Sequence, residues 1–97
     1  MYNIESVKKP VMAKEKFGSE LLWRKEEDKH ILLARHDMYV LNKFSREVLD
    51  YCDGTKTILD IARIISNKYG VVLEEAIEKI IKFLKYMSEK ELIFFEN

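Results

Sequence analysis

The chain has little of the material that most enzyme and metal sites are built from. Among its 97 residues it holds one cysteine, one proline, three glycines and two histidines. One thiol, Cys52, excludes an internal disulfide, and two histidines give no metal-ligand spacing. The scattered glycines form no phosphate-cradling loop. Charge of one sign is also missing: Lys plus Arg number 17 and Asp plus Glu number 17. That balance argues against a general nucleic-acid binder, which carries a basic excess to neutralise phosphates. It argues equally against a polybasic membrane anchor. No apolar run approaches the length of a membrane span, and no signal peptide opens the chain. The expectation is a soluble, cytoplasmic protein without a cofactor of its own.

What is present suffices for one small domain with a thin core. The hydrophobic share is 47% and the charged share 35%, a globular composition. Residues 1–18 read as an N-terminal arm, irregular and locally basic, and either mobile or an added strand around Val11 to Lys16. Residues 19–97 read as the domain. Within it, Glu20 to Lys25, His30 to Ala34 and Met38 to Leu41 are three short strands. They are joined by the charged tip Glu26-Glu27-Asp28-Lys29 and by a turn at Arg35-His36-Asp37.

From Asn42 onward the apolar period becomes helical. Asn42 is an N-cap, and Phe44, Val48, Leu49 and Cys52 fall on one face of a first helix that Asp53-Gly54 stops. Thr57 and Asp60 form a capping box for a second helix, in which Ile58, Ile61, Ala62, Ile65 and Tyr69 keep the period and Gly70 ends it. The third helix is longest, with Glu74, Glu75 and Glu78 early and Lys82, Lys85 and Lys90 late, as the macrodipole favours. Leu92 to Phe95 is a short apolar tail. The fold class is therefore α+β: a three-stranded antiparallel sheet followed by three helices, in a winged helix-turn-helix-like arrangement.

The third helix is apolar over more than the roughly 100° that one buried face requires. Ala76, Ile77, Ile80, Leu84 and Met87 form the core stripe. Phe83 and Tyr86 fall off one side of it and Ile81 off the other. Two readings stand: a helix wedged between neighbours on both sides, or a flank that lines a groove for a partner.

Catalysis finds little to work with. His30 and His36 lie in or beside short strands with no nucleophile paired to them by motif. Cys52 sits on an apolar helix face, where a buried thiol is the default. Trp23 reads as a sheet-face core residue. DNA binding would need a basic reading helix. The third helix mixes Glu75, Glu78 and Glu89 with Lys79, Lys82 and Lys85, and the second sets Arg63, Asn67 and Lys68 against Asp60, so neither presents a basic stripe.

The second half carries a series at characteristic spacing: Leu41-Asn42, Val48-Leu49, Asp53-Gly54, Thr57-Ile58 with Ile61, Tyr69, Phe83-Leu84 and Leu92-Ile93. With Lys9-Pro10 and His30-Ile31-Leu32-Leu33 upstream, residues 9–95 resemble the PqqD-like family. That family comprises precursor-recognition domains of ribosomally made, post-translationally modified peptides, including the peptide chaperone of pyrroloquinoline quinone biosynthesis. The sequence departs from the family pattern at Ser45, where alanine is usual, at Met87, where leucine is usual, and at Glu91, where glycine is usual.

The resemblance implies a non-catalytic module that binds the leader of a precursor peptide as an extra strand. The edge would be Met38, Tyr39, Val40 and Leu41, facing a groove bounded by Phe83 and Tyr86 of the third helix, with Lys79 beside them for acidic leader side chains. It also implies a modifying enzyme as second partner, of the radical S-adenosylmethionine type, whose iron–sulfur clusters belong to that enzyme. A monomer or weak homodimer is expected, since an open sheet edge can self-pair. Two other classes remain open at this stage: a winged helix-turn-helix DNA-binding regulator, which would need a basic stripe, and a structural subunit, which would bury Met38 to Leu41 permanently.

Overall fold

Local chemistry starts each of the first two helices where the sequence places it. A computed structural model describes residues 7–13, 21–34 and 37–96. Strands β1 (Lys9–Met12), β2 (Leu21–Glu26), β3 (Lys29–Ala34) and β4 (Asp37–Leu41) precede helices α1 (Lys43–Asp50), α2 (Ile58–Tyr69) and α3 (Leu73–Glu89). Strand β5 (Ile93–Glu96) closes the order. Asn42 Oδ1 accepts from the Ser45 amide at 2.8 Å and caps α1. Thr57 Oγ1 accepts from the Asp60 amide at 3.0 Å, while the Thr57 amide donates back to Asp60 Oδ2 at 3.1 Å. The predicted capping box of α2 is thus complete, and Gly70 ends that helix at φ 68°.

The first helix ends earlier than the sequence reading places it, and the third ends in a glycine-like turn that holds no glycine. Helix α1 stops at Asp50, with Tyr51 as its C-cap, three residues before the Asp53-Gly54 pair expected to stop it. The pair instead meets β1: Asp53 bridges Val11, and the Gly54 amide donates to the Pro10 carbonyl at 3.1 Å. At the end of α3 the chain makes a Schellman turn: the Leu92 amide donates to the Met87 carbonyl at 3.0 Å and the Glu91 amide to the Ser88 carbonyl at 2.9 Å. Glu91 occupies the left-handed position at φ 60°. Glycine suits that conformation without cost, whereas an L side chain there costs about 1–2 kcal/mol. Glu91, where the sequence departs from its family pattern, therefore ends the helix as a glycine would, at a local expense. Met87 and Leu92, both buried, supply the hydrophobic contact of the motif.

Two sheets flank the helices. In one, β2, β3 and β4 form the expected antiparallel meander, in that order. Its first turn is tight: β2 ends at Glu26, β3 begins at Lys29, and Glu27 takes φ 55°. In the other sheet β1 pairs antiparallel with β5, Lys9 opposite Glu96 and Met12 opposite Ile93. The added strand thus lies earlier than the Val11 to Lys16 expected from sequence; residues 14–20 are outside the described ones. β1 is also tied on its second side, since the Met12 amide donates to the Cys52 carbonyl at 3.0 Å and the Ile58 amide to the Lys8 carbonyl at 3.0 Å.

One core cluster gathers Leu32 and Ala34 from β3, Val48 and Leu49 from α1, Ile58, Ile61 and Ile65 from α2, Ile80, Leu84 and Met87 from α3, and Ile93 from β5. Cys52 is buried with them, its Sγ 3.2 Å from the Val48 carbonyl that it can donate to. The breadth of the α3 apolar arc now has a cause. Ile81 is buried on the side toward α2 and β5, lining a cavity of about 30 Å³ with Ile58 and Phe95. The opposite flank, with Phe83 and Tyr86, is more open. The reading of a helix contacted by neighbours therefore holds on the Ile81 flank, while the Phe83 and Tyr86 flank is only partly covered.

Candidate functional site

Strand β4 is the last strand of its sheet. Its neighbour is β3, with Leu32 opposite Tyr39 and Ile31 opposite Val40. Among the described residues no strand pairs with its far side. Every second backbone N–H and C=O of β4 therefore points outward, a template for another strand.

The side chains of β4 split between two faces, as successive residues of a strand must. Tyr39 and Leu41 turn inward, half-buried against the core cluster. Met38 and Val40 turn outward and are 58% and 54% exposed. On α3, Phe83 is half-buried against that same cluster. Tyr86, one turn further on, is 48% exposed, with the Lys90 ammonium 5.6 Å from its ring centroid. Lys79, one turn before Phe83, is exposed and paired with Glu75 at 3.1 Å. Lys79, Phe83, Tyr86 and Lys90 run down one helical face, three or four residues apart. Helix α3 packs chiefly on α2 and β5, while β4 packs chiefly on β3 and α1. The strand edge and the Phe83 flank are thus supported by different neighbours.

A second polar feature was not legible from spacing. Beside β3, α1 and α2 an open cleft of about 340 Å³ is lined by His30, Lys43, Arg46, Glu47, Asp50, Tyr51 and Lys68. Its centre is the Glu47 carboxylate, whose side chain is only 13% exposed. It accepts from Tyr69 Oη at 2.6 Å, Lys68 Nζ at 3.0 Å and Tyr51 Oη at 3.2 Å. These bonds tie the end of α2 to α1. Arg46 lies next to Glu47 in sequence, its guanidinium 3.7 Å from the Trp23 ring centroid and its Nε 3.0 Å from Asp50 Oδ1. Trp23 is half-buried against the core, as a sheet-face residue should be, and also carries this cation on its ring. Two of the three Glu47 partners, Lys68 and Tyr69, lie on α2, 21 and 22 residues away, so no local pattern announces them. His36 and the turn at 35–36 lie outside the described residues.

Burial alone would raise the Glu47 carboxyl, but the bonds from Tyr69, Lys68 and Tyr51 outweigh it and hold the group below its ordinary range. A carboxyl lowered in the folded state stabilises fully above its unfolded pKa, and that contribution fades as pH falls through the folded one. Glu47→Gln is therefore expected to lower stability clearly at about pH 6, with the gap to the native chain narrowing as the pH falls below the ordinary carboxylate range. Urea unfolding above and below that range reads this directly. An equal gap on both sides would mean that the carboxylate charge contributes nothing.

Comparison with known proteins bears on the edge strand. Residues 29–93, more than half of the chain, match the family model described as coenzyme PQQ synthesis protein D (PqqD). This chain belongs to the PqqD family. No curated protein matches it significantly. Among solved structures, it is similar to the PqqD truncation of Methylobacterium extorquens PqqCD, described as a functional, stand-alone recognition element for ribosomally synthesised and post-translationally modified peptides. That likeness has a TM-score of 0.73 at 23% identity, over 97% of this chain and 95% of the other. It is also similar to TbiB1 in complex with the TbiA(beta) leader peptide, with a TM-score of 0.68 at 16% identity over 86% and 93% of the two chains. At such identities the likeness establishes the fold, the three-stranded sheet followed by three helices. The PqqD family match covers the sheet from β3 onward and all three helices.

Proposed function

We propose that this chain is a non-catalytic peptide-recognition module, which captures the leader of a precursor peptide by strand addition on β4 and presents the rest to a modifying enzyme. The observation that carries this reading is the far edge of β4, which no described strand pairs, on a strand whose inward side chains Tyr39 and Leu41 pack against the core cluster. Main-chain bonds to the edge supply affinity that is blind to sequence, and side-chain pockets beside it supply specificity. Membership of the PqqD family supports the reading, as does the likeness to one structure named as a recognition element and another named as a leader-peptide complex. The proposed binding residues are Met38, Tyr39, Val40 and Leu41 on the strand and Lys79, Phe83 and Tyr86 on α3. The proposed second partner is a radical S-adenosylmethionine enzyme, as the family resemblance implies. A DNA-reading role gains nothing from the second helix, since Lys68 is tied to Glu47.

The test is an amide chemical-shift titration of the labelled protein with synthetic leader peptides of precursor genes encoded beside its own. Shifts are expected on residues 38–41 and along α3 from Lys79 to Tyr86. Silence with every leader, while duplex DNA moves α2 and α3, would replace this reading with a regulator.

A further inference from the structure

The outward face of the β2–β4 sheet is apolar where the inward face would suffice. Strand register sets its side chains in two rows: Leu22, Leu33 and Met38 in one, Arg24, Ile31 and Val40 in the other. Five of these six residues are apolar. Leu32 and Ala34 belong to the core cluster, so these rows lie on the opposite face. Ile31 is buried, yet Leu22, Met38 and Val40 leave more than half of their surface exposed.

Edge strands are usually guarded by lysine, proline or an inward-pointing charge. Strand β4 has none of these; its one ionic residue is Asp37 at its start. The cations of this face are Arg24 on the far strand β2, 3.4 Å from Glu26, and Lys29 at the start of β3, opposite Glu26. The apolar surface is therefore continuous with the open edge, and the charges of this face lie on β2 and at the start of β3. Three exposed side chains are far too few for the roughly 800 Å² per partner that a stable dimer buries. They suit a narrower occupant.

A strand hydrogen-bonded to β4 sends alternate side chains to both faces. Those directed outward come to rest about 4.5–5.5 Å, Cβ to Cβ, from Met38 or Val40. We infer that Met38 and Val40 are specificity-determining residues that read the outward side chains of the bound leader, and that the leader segment is apolar on both faces. This inference rests on the strand-addition reading. It makes the recognised segment a run of adjacent apolar residues, not an alternation of apolar and polar ones. Val40 favours a β-branched or aromatic residue opposite it, and Met38, unbranched and polarizable, accepts varied apolar shapes.

The experiment uses a display library of random twelve-residue peptides, selected separately on the native chain and on Met38→Glu and Val40→Glu. Both substitutions sit on exposed side chains, and circular dichroism confirms that each variant is folded. The native chain is expected to select peptides with apolar residues at neighbouring positions. Each variant is expected to keep the inward apolar residue, to exchange the outward one for Lys or Arg, and to bind native-selected peptides at least tenfold more weakly. A native consensus with apolar residues only at every second position, unchanged on the variants, would overturn the inference and leave strand addition standing. Selected peptides that leave the β4 amide resonances unmoved would overturn strand addition itself, and this inference with it.

Discussion

Of the single variants Tyr39→Pro and Val40→Pro, one is expected to stay folded and lose leader binding, while the other loses stability. In an antiparallel pair, successive residues turn their N–H and C=O alternately toward the partner strand and away from it. One of these two amides therefore bonds β3 and the other faces the open edge. Proline removes the amide hydrogen and fixes φ near −65°. Where the amide bonded β3, a ladder bond of the sheet is lost; an edge position with its N–H outward tolerates proline far better. There the loss falls on the incoming strand, which meets a ring in place of a donor. We expect the leader affinity of the folded variant to fall at least tenfold, with a urea midpoint close to that of the native chain. Isothermal titration with a leader peptide, run beside urea unfolding, separates the two effects. If both variants fold and bind like the native chain, the leader does not add to β4.

The second large effect concerns stability. Gly54→Ala is expected to cost about 2–4 kcal/mol, as the sum of left-handed strain and overpacking. Gly54 has φ 85°, and a Cβ built on it would lie 2.9 Å from Val11 Cγ2. Val11 is buried and β-branched, so its methyl has little freedom to move aside. The Gly54 amide is also held, through its bond to the Pro10 carbonyl. Gly70 is the internal control. It has φ 68° but no atom within 4 Å of a built Cβ, so Gly70→Ala carries strain alone, about 1–2 kcal/mol. Urea unfolding of both variants isolates the contact with β1. Equal losses would mean that the Gly54 site yields without cost, and that the packing of β1 on this turn is loose.

The same contrast marks what is legible in sequence. Asn42, the Thr57–Asp60 pair and Gly70 act within three or four residues of themselves, and each does in the fold what its spacing predicts. Gly54 was legible as a left-handed position, but its role was not. It makes room for β1, a strand that arrives from the other end of the sequence. At Glu91, where the family pattern has glycine, the structure retains the glycine-like backbone and places a glutamate in it.

The candidate site divides in the same way. Its strand could be located from the apolar run Met38 to Leu41, and its helix flank from the excess width of the α3 arc. Alternation along a strand says that Met38 and Val40 share one face and Tyr39 and Leu41 the other. With apolar residues on both, it does not say which face is inward. Packing decided that: Tyr39 and Leu41 meet the core, and Met38 and Val40 are left outside. Packing also divided α3, burying Ile81 toward α2 and β5 and leaving Tyr86 half-exposed.

The order of the three meander strands and three helices, the Asn42 and Thr57 caps, the Gly70 stop, the core stripe of α3 and the family were legible in the residues alone, because each rests on neighbours a few residues apart or on a pattern of spacing. Tertiary structure alone decided the β1–β5 pairing, the Glu47 carboxylate that joins α1 to α2, and which face of the edge strand stays open. Those depend on which distant surfaces come to share a boundary, and that is settled only when the whole chain competes to bury its apolar area.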